Sequence, residues 1–450
     1  MPSPRVWILA SLVSGTHAAC RRAPACEAST CCSNGRPHSR CGRSAARARI
    51  AASASSDNNH GHASDVVALS NLCVDVFQSV PVLPAYRDRA HVASVYDALL
   101  ASAPGKEQWE VGGNTNFAIA AARLGLSCTC LGHTGDDTFG AFLRDVLDQE
   151  GVHVQELLPV VADRTQGGAA GAAEEEVRPP TLLCFVLIDP SNGHAFCSRF
   201  DFDARPLLTC SSALPRAWCD TLGATRGVFV NGFAFDDLQP DTLMACVSAA
   251  RDAGAVIAFD AGPRAGALMR DAHPGTAVAC SELLATSEVL LLTQEEANTL
   301  TGCADADAAA QTLLKRSRAA NPWVIIKLGG RGAVAVTRGG SPTQPPRVAM
   351  PAASVAADEL QDTVGCGDSF AAAILLGRTR GHDLEATLAL ANAVGGATAT
   401  GRGAGRNVAR LAQVRALLAD MAADATVHSA AREAAGRALR IVGDVIVSAT

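Results

Sequence analysis

Within nine residues, Asp362–Phe370 (DTVGCGDSF) brings together the groups that moving a phosphoryl group requires. Two glycines around Cys366 let the backbone turn tightly and expose successive N–H groups. The apolar run Ala371–Gly377 (AAAILLG) that follows reads as a helix, so the turn sits at a positive helix end. The amides of Gly365, Cys366 and Gly367 together with that helix end make an anion site. Asp368, at the helix start, is placed to take a proton from an attacking hydroxyl, and neighbouring N–H donors favour its ionised form. A phosphate on one side and a base on the other form a phosphoryl-transfer centre. The bland reading is a Gly-rich turn with a capping Asp. Asp362-Thr363 ahead of it and the helix behind it favour the chemical reading.

A loop-to-helix site of this kind needs a sheet to hold it. From Ser64 onward, apolar runs alternate with Ala/Leu-rich helical stretches. Strand candidates are Asp65–Asp75, Ser127–Gly132, Leu182–Asp189, Gly227–Asn231, Ala255–Asp260, Glu288–Leu292, Trp323–Leu328 and Ala333–Thr337. Helix candidates are Asn116–Leu124, Phe139–Glu150, Asp241–Ala253, Glu295–Leu300 and Ala304–Ala319. The later strands are near-continuous apolar runs, as expected for strands buried on both faces of a mainly parallel sheet. The alternation predicts one doubly wound α/β domain with helices on both faces, over residues 61–421. Two regions break the rhythm: about 80–111, with its prolines, and 182–200, where Asn192-Gly193 signals a hairpin. Both suit a small β flap standing on the main sheet. Residues 163–180 read as a low-complexity solvated loop, and 422–450 as an Ala-rich helical tail.

Composition narrows the classes. Of 450 residues, 48% are hydrophobic, 4% aromatic and 18% charged, which fits a chain with a large buried core. No run approaches the ~20 apolar residues of a membrane span. Residues 1–56 hold eight Arg, no Lys and one Glu, whereas the rest carries 30 basic and 43 acidic groups. An acidic body lacks the clustered cations that nucleic acid requires, so a small molecule is the expected partner. Residues 1–60 read as an Arg- and Ser-rich targeting leader, with a plastid as the expected destination and a mitochondrion the alternative. The apolar stretch Val6–Val13 leaves room for a bipartite signal-then-transit leader. Five of the 16 Cys fall in this leader; the others have no metal spacing, so reduced thiols and no zinc are expected. Neither a Gly-x-Gly-x-x-Gly after the first strand nor a P-loop is present, which disfavours two common nucleotide folds.

Other segments extend the pattern in a fixed order. Gly112-Gly113-Asn114-Thr115-Asn116 leads into AIAAARLG, and LGHTGDDTFG follows at Leu131–Gly140. Asn231-Gly232 and Phe259–Arg264 (FDAGPR) lie at strand ends. Thr293–Glu296, Lys327–Gly332 (KLGGRG) and Ala391–Gly405 complete the series. With DTVGCGDSF, this arrangement resembles the ribokinase/PfkB carbohydrate-kinase family from about Asp65 to Gln413, and among its members looks most like organellar PfkB-like proteins of plants and algae. The resemblance implies a ribokinase-like fold with a small β lid and an ATP-dependent kinase acting on a sugar or polyol hydroxyl. A nucleoside kinase is the nearest alternative, and a non-catalytic scaffold in an organellar assembly the alternative from another class.

By resemblance, Asp368 is the general base and the Gly365, Cys366 and Gly367 amides hold the developing charge. Asp75 grips substrate hydroxyls, with Gly112, Gly113 and Asn116 completing the pocket and Asn114 beside them. Thr293, Glu296, Lys327, Gly329, Gly332 and Asn392 fall on the ATP side. Glu296 acts on Mg²⁺ through water, and Asp362 is the candidate holder of a monovalent cation, K⁺. Thr293 stands where the family motif has Asn, and Lys327 where many members carry a small hydroxyl residue, so altered Mg²⁺ dependence is expected. The flap strands allow a monomer or a homodimer.

Overall fold

The computed structural model describes residues 64–156, 178–191, 193–203, 205–208, 214–270, 275–339 and 346–448. The expected leader, most of the 163–180 loop and Asn192 of the hairpin signal lie outside these residues.

Among the described residues, thirteen strands carry the fold: β1 Val66–Leu69, β2 Leu72–Ser79, β3 Trp109–Gly113, β4 Cys128–Gly132, β5 His153–Glu156, β6 Leu182–Ile188, β7 His194–Ser198, β8 Gly227–Asn231, β9 Val256–Asp260, β10 Val289–Thr293, β11 Trp323–Lys327, β12 Ala333–Val336 and β13 Arg347–Met350. Nine form one sheet in the order β13-β12-β11-β10-β9-β8-β1-β4-β5. From β5 to β11 every neighbour is parallel; β12 and β13 finish one edge antiparallel. The central strands are apolar until their last residue, where Asn231, Asp260, Thr293 and Lys327 appear. Because the strands are parallel and nearly in register, those polar ends share one edge: Asn231 lies opposite Asp260, and Thr293 opposite Lys327. That is the edge where ligands of open α/β sheets bind.

Side chains alternate between two cores. Val66, Ala68, Leu291 and Ile325 face one, and Val67, Leu69, Leu290 and Ile326 the other. Each fully buried Ile, Leu or Val stabilises the fold by about 1.5–3 kcal/mol. This accounts for the continuous apolar runs, and it confirms the expected α/β class.

The other four strands form a second sheet, β3-β2-β6-β7. Here two expectations need correction. Asp65–Asp75 is not one strand: the chain leaves β1 and enters β2 through Ser70 and Asn71, at φ 61° and 54°. A left-handed pair without glycine is uncommon and needs support. Ser70 Oγ and Asn71 N–H both donate to Asp237 Oδ2 (2.6 and 2.7 Å), and Asn114 Nδ2 donates to Leu69 O and Ser70 O, each at 2.8 Å. Asp75 therefore lies within β2 of the small sheet, not at the end of the first main-sheet strand. In the 80–111 region, the longest element is a helix, α1 (Arg89–Ala101), and only β3 is extended. Asp88 caps this helix by accepting from His91 N–H at 2.8 Å, a local signal strong enough to override the prolines before it.

Helix α2 (Thr115–Arg123) follows β3 directly. Helix α3 (Gln294–Thr301) follows β10. Helix α4 (Cys366–Arg380) is buried from Ser369 to Gly377 and packs on α5 (Leu384–Thr398). Two further helices, α6 (Leu411–Ala423) and α7 (Ser429–Ser448), end the described chain. The α7 stripe Ala431, Ala434, Ala435, Ala438, Ile441 and Val442 is buried at helical spacing, with α5 and α6 as its neighbours.

Candidate active site

Asp368 stands in the first turn of α4, held by a residue from the other half of the chain. Asn116 Nδ2 donates to Asp368 Oδ2 at 3.1 Å, while Asn116 Oδ1 accepts from Gly405 N–H at 2.8 Å. One side chain thus joins α2, α4 and the loop after α5. Gly365, at φ 77°, makes the turn into α4, and a Cβ there would come within 2.8 Å of Ala404 Cβ. Glycine is needed on both counts. Burial pushes the Asp368 carboxyl up to about 6, Asn116 opposing, with Asp260 adding to the rise and Lys327 offsetting it. A carboxyl that titrates near 6 is ionised at pH 7 and close enough to neutrality to be able to accept a proton there.

Asp75 faces the same space. Burial pushes it up to about 7; the Cys73 thiol opposes this, and the charges of Asp368 and Glu110 add to it. The bare backbone of Gly112 lies against it: a Cβ there would lie 2.3–2.5 Å from the carboxylate atoms. Gly113, at φ 61°, backs onto Asn71 and belongs to the pivot between the two sheets.

On the other side, Lys327 Nζ reaches Asp260 Oδ2 at 2.5 Å, with side chains only 15% and 7% exposed. A Cβ on Gly367 would be 3.3 Å from this nitrogen, which places the ammonium beside the α4 turn. Burial alone would lower the Lys327 pKa, but Asp260, Glu296 and Asp368 outweigh it and raise it. Thr293 and Glu296 form a reciprocal cap on α3: Glu296 N–H donates to Thr293 Oγ1 at 3.2 Å, and Thr293 N–H to Glu296 Oε2 at 2.8 Å. Burial, then Asp260, lifts Glu296 to about 7, against Lys327 and the cap bonds. Four groups from β9, β11, α3 and α4 therefore interact at one point. Only Oε2 of Glu296 serves the cap. Its other oxygen could hold Mg²⁺ as a single carboxylate, jointly with phosphates and water; among the described residues no cluster of three ligating side chains stands ready for a metal.

Several expected site residues serve the backbone instead. Asn114 is fully buried and its Nδ2 is committed to the pivot carbonyls, so it does not line the pocket. Asn392 donates to Met350 O and Pro351 O at 3.1 and 2.9 Å, holding the end of β13 against α5. Cys366 N–H turns back to Thr363 O at 3.3 Å, closing the i→i+3 turn, so its amide is not free for an anion. Asp362 accepts from Val364 N–H and Gly403 N–H, both at 3.0 Å, and thereby ties the α4 loop to the loop after α5. Gly329 and Gly332 shape the β11–β12 loop, where a Cβ on Gly332 would collide with Met350 O.

Sequence reasoning missed Asp260 as a site residue. Its signal was an acid closing an otherwise apolar strand, at the same edge as Lys327. Glu110 and Arg406 were missed too. Arg406 donates from Nε and Nη2 to Glu110 Oε1 (2.9 and 2.7 Å) and from its backbone N–H to Oε2 (3.0 Å), fastening the small sheet to the loop that also meets Asn116.

Comparison with known proteins gives a consistent pattern. The family model described as pfkB family carbohydrate kinase matches residues 97–178 and 219–410. A 5-dehydro-2-deoxygluconokinase of Shouchella clausii (strain KSM-K16) is 23% identical over 355 residues, covering 79% of this chain and 95% of that protein. Arabidopsis thaliana ribokinase complexed with ribose and ATP superposes with a TM-score of 0.57 at 19% identity, over 79% of this chain and 99% of that one. A fructokinase from Xylella fastidiosa with bound ATP gives a TM-score of 0.56 at 20% identity, with the same coverage.

Proposed function

The chain belongs to the pfkB family of carbohydrate kinases, phosphotransferases that act on an alcohol group, and from that premise we propose that it transfers the γ-phosphoryl group of ATP to a sugar or polyol hydroxyl with Asp368 as general base. The observation that carries this reading is the convergence of Asp368, Asn116 and Asp75 on one space beside the Gly365–Gly367 turn. Asp75 and Asn116 orient the substrate so that one hydroxyl lies against Asp368, which takes the proton as the oxygen attacks. The amides of the α4 first turn, Gly367 foremost, face the charge that develops on the phosphoryl oxygens, and such pre-aimed donors are worth about 10²–10³ in rate each. Mg²⁺, when bound beside Glu296, would neutralise phosphate charge. The small sheet, fastened by the Glu110–Arg406 pair, excludes water from the transfer.

The relative from Shouchella clausii is named for a deoxygluconate, so a sugar acid belongs among the candidate substrates. The test is ADP release by the full chain against pentoses, hexoses, inositols, keto-deoxygluconates and nucleosides. Turnover with one sugar or polyol supports the reading, and turnover with a nucleoside alone moves the substrate class. No turnover with any compound, ATP binding being measurable, counts against it and favours a scaffold.

A further inference from the structure

We propose that Lys327, held by Asp260, is a catalytic residue whose ammonium contacts the phosphoryl group during transfer, an inference that rests on the kinase reading above. Lys327 ends β11 and Asp260 ends β9, with β10 between them, so the pair crosses the polar edge of the sheet. Burying an ion pair here is no device for stability: desolvation of both charges offsets most of their attraction, and an apolar pair would serve the fold as well. The same strands show that alternative one residue earlier, where Phe259 and Ile326 are fully buried.

Geometry gives the pair its task. An ammonium has three N–H donors. Among the described residues, Asp260 is the one hydrogen-bond acceptor of Lys327, which leaves two donors for something else. The ammonium stands beside Gly367, a residue without a side chain to come between the cation and an anion in the α4 turn. Glu296 and Asp368 both lie within its electrostatic reach, one on the nucleotide side and one on the base. A cation anchored at that point meets the phosphoryl oxygens as their charge is redistributed. In the step itself, the substrate hydroxyl oxygen bonds to the γ-phosphorus of ATP while its proton passes to Asp368. The bond from that phosphorus to the β,γ-bridging oxygen breaks, and its electron pair leaves with ADP. Lys327 keeps its protons and acts through charge, and Asp260 is its positioning residue.

The test uses the full chain and a probe that needs neither Mg²⁺ nor turnover: inorganic tripolyphosphate, titrated calorimetrically in EDTA. Wild type is expected to bind it, and Lys327→Met to bind at least about tenfold more weakly, while Lys327→Arg keeps most of the affinity. In turnover, Lys327→Met should lower kcat by about 10²–10³ and leave the sugar KM within a few-fold, as for a group acting mainly in the transition state. Lys327→Met strands a buried Asp260 carboxylate, so the double variant Asp260→Asn/Lys327→Met, which removes both charges, secures a folded comparison. It should lose tripolyphosphate binding to the same degree. Unchanged binding in either Met variant, or none in wild type, overturns the proposal. Lys327-dependent binding in a protein that phosphorylates no sugar would overturn the kinase reading and leave the cation site standing.

Discussion

Gly112→Ala isolates the substrate clamp from the rest of the site. A Cβ on residue 112 would lie 2.3 Å from Asp75 Oδ1, 2.4 Å from Cγ and 2.5 Å from Oδ2, where real contacts essentially never fall below 3.0 Å. Asp75 is held in β2 between β3 and β6, so its backbone is fixed and the carboxylate has to swing away by about 1 Å. That displacement breaks one hydrogen bond between a charged acceptor and a substrate hydroxyl, worth about 1.5–3 kcal/mol. At 1.4 kcal/mol per tenfold, the sugar KM should rise about 10–10²-fold. The ATP KM should stay within about twofold, because the nucleotide side is untouched. Steady-state kinetics with each substrate varied in turn, alongside a melting curve, gives the answer. In a double-mutant cycle, adding Gly112→Ala to Asp75→Ala should cost almost nothing further, since the methyl acts through that carboxylate. A folded Gly112→Ala protein with an unchanged sugar KM would refute the clamp.

Further expectations follow from the same geometry. Asp368 must be ionised to accept a proton, so kcat at saturating sugar should fall about tenfold per pH unit below about 6. Its carboxyl is raised in the folded state, so between its ordinary value near 4 and about 6 the native protein binds the extra proton and stability drops as pH rises. Asp368→Asn should therefore melt higher than wild type at pH 7 and lose that advantage toward pH 4; a constant difference would contradict the buried-base picture. Glu296→Gln preserves an acceptor for the α3 cap, so the fold should hold while kcat demands several-fold more Mg²⁺; an unchanged Mg²⁺ titration removes Glu296 from the metal site. Asn114→Ala leaves Leu69 O and Ser70 O without their side-chain donor and should cost about 2–4 kcal/mol in urea unfolding. A loss below about 0.5 kcal/mol, the scale of an ordinary surface change, would mean that the left-handed pivot holds itself.

Local chemistry decided what could be read in advance. The strands Gly227–Asn231 and Trp323–Lys327 were legible because burial on both faces leaves only apolar residues. The turn at Gly365 and the place of Asp368 at a helix start were legible because the glycines, the carboxylate and the apolar helix run are contiguous. The break at Ser70–Asn71 was not, because two ordinary residues adopt left-handed backbone there with the support of Asp237 and Asn114, both far along the chain. Nor could the sequence show that Asn114 and Asn392 spend their amides on carbonyls, since an Asn near a site looks the same either way. The Lys327–Asp260 pair spans 67 positions and exists only once the strands are in register. Pairings of that kind are what folding adds to the sequence.

The most direct test is phosphoryl transfer in a single turnover, with the best substrate of the panel, in wild type and Asp368→Asn, together with ATP affinity for both. General-base removal should slow transfer by about 10²–10⁴ while ATP binds as before. Transfer at the wild-type rate in Asp368→Asn, with ATP bound equally well, would contradict the assignment of the base and with it the account of the site.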